Sequence, residues 1–223
     1  MIDLGTCQPF ASGYNRHCFR HPDDPSLCLK VLRPENIEAR YQRQPWAKKL
    51  LGRRRIDDNA QELKAHRQRA IRRLLSRGEA EMVWQHLPRF YGAELTSLGS
   101  ANVSELLLDD QGKPAQTLEH YLRHRGFDQP MREAVGRFCE WLQTTGILTR
   151  NLLPHNLVVT ALSGQPELFL VDGLGAPTIP QTLARVPGWN RHYIARKLAR
   201  FELRLAWEQS DQMVSWERFQ RLK

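Results

Sequence analysis

Two short apolar runs joined by a turn constrain the fold of this 223-residue chain more than any other feature. The runs at 157–160 (Leu-Val-Val-Thr) and 168–171 (Leu-Phe-Leu-Val) have the length and composition of β-strands. The turn-forming sequence Ser-Gly-Gln-Pro at 163–166 separates them. We therefore predict an antiparallel β-hairpin in the second half of the chain.

The register of this hairpin decides which polar residues meet at its open end. If Leu157 faces Val171, then Asn156 and Asp172 become neighbours, although they are sixteen positions apart in sequence. An amide oxygen beside a carboxylate suits Mg²⁺, which takes oxygen ligands and keeps water or phosphate in its remaining positions. Because Asn and Asp also favour strand ends, ordinary turn chemistry is the other interpretation of the pair.

Composition excludes several classes of protein. An apolar fraction of 41% and a charged fraction of 26% are typical of a globular domain with a sizeable core. The chain contains no run of about 20 apolar residues that could cross a bilayer, and its start lacks the pattern of a secretory signal. Because the four cysteines, at positions 7, 18, 28 and 139, show no CxxC spacing, we expect reduced, structural thiols in a cytoplasmic protein.

The formal net charge of +9 is concentrated in one segment. Residues 48–77 carry eleven Lys or Arg and three Asp or Glu, an excess of eight positive charges. Such a block favours an anionic or phosphorylated substrate, or peripheral contact with an anionic membrane at its inner face. A solvated helix face is the other interpretation. Because Trp46 is the aromatic residue near the block, we do not expect nucleic-acid binding by base stacking.

The predicted elements divide the chain into two lobes. Residues 1–107 combine short strands with a basic helical stretch, whereas residues 108–223 are mainly helical apart from the hairpin. The polar run Asp-Asp-Gln-Gly-Lys-Pro at 109–114 marks the boundary. Thr117 and Asp128 precede helical patterns and are predicted N-caps. These features predict an α+β fold.

The segments around the hairpin resemble the motifs of protein kinases. Residues 149–156 (Thr-Arg-Asn-Leu-Leu-Pro-His-Asn) are similar to the catalytic loop H-R-D-L-x-x-x-N, and residues 172–175 (Asp-Gly-Leu-Gly) to the D-F-G segment. Lys30, in the predicted strand 27–32, resembles the lysine that holds the nucleotide's α- and β-phosphates. Glu62 is the candidate for its ion-pair partner. The ordered set implies a protein-kinase-like two-lobe fold, with a strand-rich N-lobe and a mainly helical C-lobe.

The chain also resembles a family of small bacterial kinase-like proteins that is named for the PhoP-regulated protein YrbL. An additional basic segment, about residues 36–58, precedes Glu62 in this chain. The segments that carry the resemblance are 10–13, 16–22, 28–31, 110–114 and 152–156, together with Asp172.

The resemblance implies a site for ATP and Mg²⁺ between the two lobes. Lys30 and Glu62 are then the ion pair at the phosphates, and Asn156 and Asp172 are the Mg²⁺ ligands. The implied nucleotide-contacting residues are Ser12 and Gly13, in the loop over the phosphates, and Glu105, Leu106 and Leu107, in the linker beside the adenine.

Two departures from the kinase pattern bear on activity. Asn151 stands where active kinases have the catalytic aspartate, and loss of a general base typically lowers a rate by about 10²–10⁴-fold. Of the three glycines in the phosphate loop, Gly13 is kept, with Ala11 and Arg16 at the other two positions. Phosphoryl transfer draws most of its acceleration from positioning and metal electrostatics, so a slow enzyme is compatible with both changes.

Three functional hypotheses follow, of which the third, a nucleic-acid or anionic-membrane adaptor, rests on the basic block alone. The first is a kinase-like phosphotransferase acting on an anionic acceptor, such as a lipopolysaccharide-core sugar of the bacterial envelope. The second is a pseudokinase regulator that binds nucleotide or a protein partner without phosphotransfer.

Overall fold

The computed structural model describes the greater part of both predicted lobes. Five bases of the 48–77 segment (Lys48, Lys49, Arg53, Arg54 and Arg55), most of the additional segment after residue 43, and Ser163 of the predicted turn lie outside the described residues. The described residues are 1–43, 46, 56–161, 164–175, 187–210 and 212–221, with the backbone alone at 40, 187 and 221.

The chain divides into two compact units whose bounds differ from those of the predicted lobes. Unit 1 comprises residues 1–67 and 88–106, and unit 2 comprises residues 68–87 and 107–223. Residues 68–87 belong to unit 2 because their hydrogen bonds are made there. The Gln68 side chain donates from Nε2 to the Leu148 carbonyl (3.4 Å), and its Oε1 accepts from the Leu148 backbone N–H (2.7 Å).

Unit 1 contains a five-stranded antiparallel sheet in the order β1-β2-β3-β5-β4. The predicted strand at 27–32 is confirmed as β3, the central strand of the sheet. The strands are β1 (Ala11–Ser12), β2 (Arg16–Arg20), β3 (Leu27–Leu32), β4 (Phe90–Thr96) and β5 (Gly99–Glu105), and the described helices are α1 (Pro34–Gln42) and α2 (Asp58–His66).

The two faces of this sheet differ in chemistry because side chains alternate along each strand. One face is apolar and forms a buried cluster of Leu4, Phe19, Leu29, Val31, Ala101 and Val103. The other face carries Lys30, opposite Cys18 on β2 and Asn102 on β5. Strand β3 therefore anchors the sheet with one set of residues and presents a lysine with the other.

Unit 2 is mainly helical. Its helices are α3 (Arg69–Ser76), α4 (Ala80–Trp84), α5 (Leu118–Arg125), α6 (Gln129–Thr145), α7 (Pro187–Glu208) and α8 (Trp216–Arg221). The predicted N-caps are confirmed, since Thr117 accepts from the His120 amide (3.2 Å) and Asp128 from the Met131 amide (3.0 Å). The predicted α+β fold, with a sheet in the N-terminal region and helices in the C-terminal region, is confirmed. No helix among the described residues has the length and apolarity needed to cross a membrane.

The predicted hairpin forms, from β6 (Leu157–Thr160) and β7 (Glu167–Leu170), but the predicted register is wrong by one residue. Leu157 pairs with Leu170 instead of Val171, and Thr160 pairs with Glu167. The observed register aligns buried pairs, Leu157 with Leu170 and Val159 with Leu168. Burial of these leucines decides the register, because a slip of one residue would turn a strand's side chains to the other face.

Candidate functional site

The Lys30 side chain is buried and forms an ion pair with Glu62. Lys30 is 6% exposed, and its Nζ lies 2.6 Å from Glu62 Oε1. Strand β3 supplies the lysine and helix α2 supplies the glutamate. A buried lysine is rare unless it is paired, so the local structure is built to hold this charge.

Two further side chains bind the same carboxylate. Arg16 on β2 donates from Nη1 to Glu62 Oε2 at 2.6 Å, and Asn102 on β5 donates from Nδ2 to that oxygen at 2.9 Å. Sequence reasoning noted Arg16 at a lost glycine position but assigned no role to Asn102, which lies between Ala101 and Val103. These four residues are called the Lys30 cluster below.

The charges of the Lys30 cluster keep its carboxylate ionised. Burial by itself would raise the pKa of Glu62, but Lys30 and Arg16 together hold that pKa well below its usual range. Glu62 is therefore ionised at neutral pH, and its one negative charge faces two positive ones. Two cationic side chains beside each other in a buried setting are of the kind that binds an anionic ligand such as a phosphate.

Asn59 ties the helix of this cluster to the sheet. Its Nδ2 donates to the Lys30 carbonyl (2.9 Å) and to the Ser100 carbonyl (3.2 Å). The Asn59 carbonyl in turn accepts from Asn102 Nδ2 (3.0 Å). These bonds fix α2 against β3 and β5, and they hold Glu62 at the lysine.

The structure places Ser12 and Gly13, the predicted phosphate-loop residues, on the exposed hairpin between β1 and β2. The Gly13 amide donates to the Arg16 carbonyl (2.8 Å), and the Ser12 hydroxyl is hydrogen-bonded to His17 Nδ1 (2.8 Å). A Cβ at position 13 would lie 3.7 Å from the Arg16 carbonyl oxygen, which is ordinary contact. This hairpin therefore forms without a steric requirement for glycine at that position.

The predicted linker residues lie where the chain leaves β5. The Glu105 carboxylate accepts from the Arg89 amide (3.1 Å), and the Leu106 amide donates to the Ser26 carbonyl (2.7 Å). The Leu107 carbonyl accepts from the Ala115 amide (2.9 Å). These three groups are thus already used in bonds within the chain.

In unit 2, the kinase-like loop and the D-F-G-like segment are joined through one carbonyl. The Gly173 carbonyl accepts from the Arg150 amide (2.7 Å), the Asn151 amide (3.1 Å) and the Thr149 hydroxyl (2.9 Å). Gly173 has a φ of +78°, and a Cβ there would lie 2.3 Å from the Asn151 carbonyl oxygen. Glycine is therefore required at this position both by backbone conformation and by space.

Backbone bonds bring Asn156 and Asp172 together, as predicted, although in the shifted register. The Asn156 carbonyl accepts from the Val171 amide (2.9 Å) and the Asp172 amide (3.4 Å). Asn156 is buried and donates from Nδ2 to the Asn151 carbonyl (2.8 Å). Asp172 is exposed, and its Oδ1 accepts from the Gly173 amide (2.6 Å).

The donor set at this position fits Mg²⁺. Because Asn156 Nδ2 donates to the Asn151 carbonyl, Asn156 Oδ1 is the side-chain atom that can coordinate a cation. Asp172 adds an exposed carboxylate. Within the described ranges no cluster of three or more His, Cys, Asp or Glu suits a metal ion, so a cation here would take water or phosphate oxygens as its other ligands.

Two side chains of helix α7 are hydrogen-bonded to the backbone of the kinase-like loop. The Tyr193 hydroxyl donates to the Thr149 carbonyl (2.9 Å), and Lys197 Nζ donates to the Arg150 carbonyl. Burial raises the pKa of Tyr193 to about 12, so its hydroxyl keeps the proton that it donates. Asn151 itself is exposed, which leaves its side chain accessible to a ligand.

Unit 2 also contains a cavity of about 630 Å³ with arginines in its wall. Arg69 and Arg73, from the described part of the basic segment, line it together with Arg191 of α7. Arg73 also donates to the Thr145 carbonyl (3.3 Å) at the end of α6. Three guanidinium groups around one cavity favour an anionic occupant.

The resemblance to protein kinases implies a sheet with a lysine–glutamate pair, and a loop joined to the hairpin that carries Asn156 and Asp172. The family model described as PhoP regulatory network protein YrbL matches residues 2–206. The chain therefore belongs to the YrbL family, and the family resemblance seen in the sequence is confirmed.

Curated relatives that match the chain carry the name of the same family. The chain is 26% identical to "Uncharacterized protein YrbL" of Escherichia coli (strain K12) over 206 residues, which cover 90% of this chain and 84% of the relative. The same values hold for the protein of that name in Shigella flexneri.

Similar solved structures include crystal structures of mutant forms of the PknI kinase domain of Mycobacterium tuberculosis. One has a TM-score of 0.47 at 16% identity and covers 92% of this chain and 75% of its own. Another has a TM-score of 0.45 at 17% identity, with coverages of 90% and 72%.

Proposed function

We propose that this chain is a kinase-like protein that binds Mg-ATP and transfers phosphate slowly to an anionic acceptor. The observation that carries the proposal is the buried ion pair of Lys30 and Glu62, at 2.6 Å. Burying two charges is unfavourable unless both are well paired, so such a pair is seldom present for stability alone. Arg16, which binds the same carboxylate, is a second cation that can donate hydrogen bonds to a phosphate.

Asn156 and Asp172 support the metal part of the proposal. Mg²⁺ is usually bound by one or two protein oxygens, with phosphate and water completing the octahedron. When bound, the ion would neutralise charge on the phosphates. The chain's own contribution is to hold the Asn156 amide through Asn151 and the Asp172 segment through the Gly173 carbonyl.

Asn151 sets the expected rate. Its exposed amide can accept a hydrogen bond from an acceptor hydroxyl and orient it, but it cannot take up the proton at neutral pH. We therefore expect transfer to be about 10²–10⁴-fold slower than with an aspartate at this position. The remaining acceleration of phosphate transfer would come from orienting the acceptor hydroxyl and from neutralising charge on the phosphates.

The arginine-lined cavity supports an anionic acceptor. Arg69, Arg73 and Arg191 are suited to phosphate because a guanidinium can donate two parallel hydrogen bonds to it. A volume of about 630 Å³ accommodates a sugar phosphate. This part of the proposal names a phosphorylated sugar, of the kind found in lipopolysaccharide core, as the acceptor class.

Nucleotide binding is tested by titration calorimetry with Mg-ATP. We expect Lys30→Met and Asp172→Asn each to weaken binding at least about 10-fold, because each removes a charge at the phosphates or the metal. Lys113→Met is the matched control, since it makes the same change at an exposed lysine. Equal affinity in all four proteins, with circular dichroism showing them folded, would overturn the nucleotide site.

Catalysis is tested by ADP release from Mg-ATP. The Asn151→Asp variant should release ADP faster than the natural chain, because it restores a base that can accept the hydroxyl proton. ATP binding without ADP release in either protein would favour the second hypothesis, a pseudokinase regulator. The observation that favours that hypothesis is Asn151 in the catalytic position.

The acceptor site is tested with glucose 6-phosphate as the probe and glucose as the uncharged control. Arg69→Gln combined with Arg191→Gln should abolish a thermal shift that glucose 6-phosphate produces. Arg72→Gln, an exposed arginine on the same helix outside the cavity wall, should leave the shift unchanged. A shift that survives the double change, or that glucose also produces, would remove the cavity from the proposal.

A further inference from the structure

Two cysteines share the sheet face that carries the Lys30 cluster. Cys18 on β2 lies opposite Lys30, and Cys28 on β3 lies opposite Arg20, so the two cysteines are diagonal neighbours across adjacent strands. Alternation along β3 puts Cys28 on the same face as Lys30. Each thiol affects the ionisation of the other.

The two thiols differ in accessibility and in ionisation. Cys18 is half-buried, whereas Cys28 is 5% exposed. The neighbouring Cys28 thiol, helped by the charges of Lys30 and Arg16, lowers the pKa of Cys18 to about 7, against the opposing effects of burial and of Glu62. The Cys18 thiol, together with burial, raises the pKa of Cys28 well above its usual value.

This arrangement has the features of a reactive thiol and its resolving partner. The thiolate is the nucleophile toward peroxide, and electropositive, partly exposed positions are those in which cysteines react. Cys139 offers a contrast within the chain, because burial raises its pKa to about 11. We propose that Cys18 and Cys28 form a peroxide-sensitive thiol pair, in which Cys18 is oxidised first and Cys28 closes an intramolecular disulfide.

The chemistry takes place in two balanced steps, with hydrogen peroxide as the oxidant. The Cys18 sulfur attacks one peroxide oxygen, the O–O bond breaks, and the products are a sulfenic acid and water. The Cys28 thiol then attacks the Cys18 sulfur, so that an S–S bond forms and a second water leaves. In total, two thiols lose two hydrogens and one peroxide becomes two waters.

Closing the disulfide draws the two strands together. Diagonal neighbours in a sheet have Cα atoms about 7–8 Å apart, whereas a disulfide spans up to about 7 Å. Strand β2 can shift because its outer neighbour in the sheet, β1, is only two residues long. Because β2 also carries Arg16, oxidation is expected to disturb the bond between Arg16 and Glu62.

Intact-mass measurement after treatment with hydrogen peroxide tests the pair directly. We expect the mass of two hydrogens to be lost, and peptide mapping to show a linkage between positions 18 and 28. Cys28→Ser should instead stop at a sulfenic acid on Cys18 that dimedone labels. The double variant Cys7→Ser, Cys139→Ser is the matched control and should still form the disulfide.

Alkylation by iodoacetamide provides a second readout that does not depend on disulfide closure. The rate at Cys18 should have its pH midpoint near 7, and Cys28→Ser should move that midpoint upward. A linkage that involves Cys7 or Cys139, or a midpoint near the ordinary thiol value of about 8.5, would overturn the proposal.

An effect on ligand binding rests on the proposed function. Oxidised protein should bind Mg-ATP at least several-fold more weakly than reduced protein, and dithiothreitol should reverse the loss. A disulfide that forms in protein that never binds Mg-ATP supports the thiol pair and refutes the nucleotide site. Mg-ATP binding with no linkage between 18 and 28 refutes the thiol pair and supports the nucleotide site.

Discussion

The two candidate sites, one in each unit, are built by different kinds of interaction. In unit 1, the Lys30 cluster is held by buried side-chain charges, with Glu62 at its centre. In unit 2, the Asn156 and Asp172 positions are held mainly by backbone hydrogen bonds, with the Gly173 carbonyl at the centre. Replacing a charged side chain should therefore destabilise unit 1, whereas replacing a glycine that the backbone requires should destabilise unit 2.

The largest expected effect is at Glu62. Glu62→Ala leaves Lys30 and Arg16 buried without their counter-charge, and breaking a buried pair in this way typically costs about 3–5 kcal/mol. The free energy of unfolding, measured by urea titration, should fall by that amount. Glu35→Ala is the control, since its exposed pair with Arg33 should contribute less than about 1 kcal/mol. Similar losses at both positions would show that the Lys30 cluster is not tightly coupled.

The next effect concerns His66, which stacks on Phe90 with ring centroids 4.0 Å apart. Burial lowers the pKa of His66 from 6.5 to about 4, so the unfolded chain takes up a proton at a higher pH than the folded one. The free energy of unfolding should therefore be highest above about pH 6.5, and should fall by up to about 3 kcal/mol as the pH is lowered toward 4.

Urea titrations across this pH range, compared with His66→Phe, check the prediction. The variant should lose most of the dependence between pH 6.5 and 4. The part that remains is expected from His86 in unit 2, whose pKa burial also lowers. A variant with the same pH profile as the natural chain would refute the assignment to His66.

In unit 2, the sensitive position is Gly173. Gly173→Ala should destabilise the chain by about 2 kcal/mol more than Gly164→Ala. Both glycines have φ near +78°, at +78° and +79°, but a Cβ would meet the Asn151 carbonyl at 2.3 Å in the first case and no atom within 4 Å in the second. Equal unfolding energies for the two variants would mean that the loop can move away from Gly173.

The smallest effect on stability is expected at Asp172. Its carboxylate is exposed, so Asp172→Asn should change the free energy of unfolding by less than about 1 kcal/mol. The Mg²⁺ dependence of ATP affinity should nevertheless be lost in this variant, because the amide is a weaker ligand for the ion. A large loss of stability would instead make Asp172 a structural residue, like Glu62.

Sequence patterns were sufficient for the elements and for part of the site. Strand β3 occupies the predicted residues, and the N-caps Thr117 and Asp128 are where the patterns put them. The pairing of Lys30 with Glu62 followed from a family pattern, since nothing local connects residues 32 positions apart. Strand composition and capping chemistry depend on a few neighbouring residues, so they could be predicted from the sequence.

Other features depended on contacts that no local pattern records. Arg16 and Asn102 reach Glu62 because strands β2, β3 and β5 meet helix α2 there. The sequence around either residue does not indicate a buried partner. The register of the β6–β7 hairpin was set by burial of Leu168 and Leu170, which the turn sequence does not encode.

The amino-acid sequence by itself therefore determined the order of the elements, the family and the residue types available for binding phosphate and metal. The tertiary structure alone decided which of those residues share a carboxylate, which face of the sheet holds Cys18 and Cys28, and how the hairpin strands align. The physical reason is that charge pairing, thiol contact and side-chain burial depend on distances between segments that are far apart in the chain.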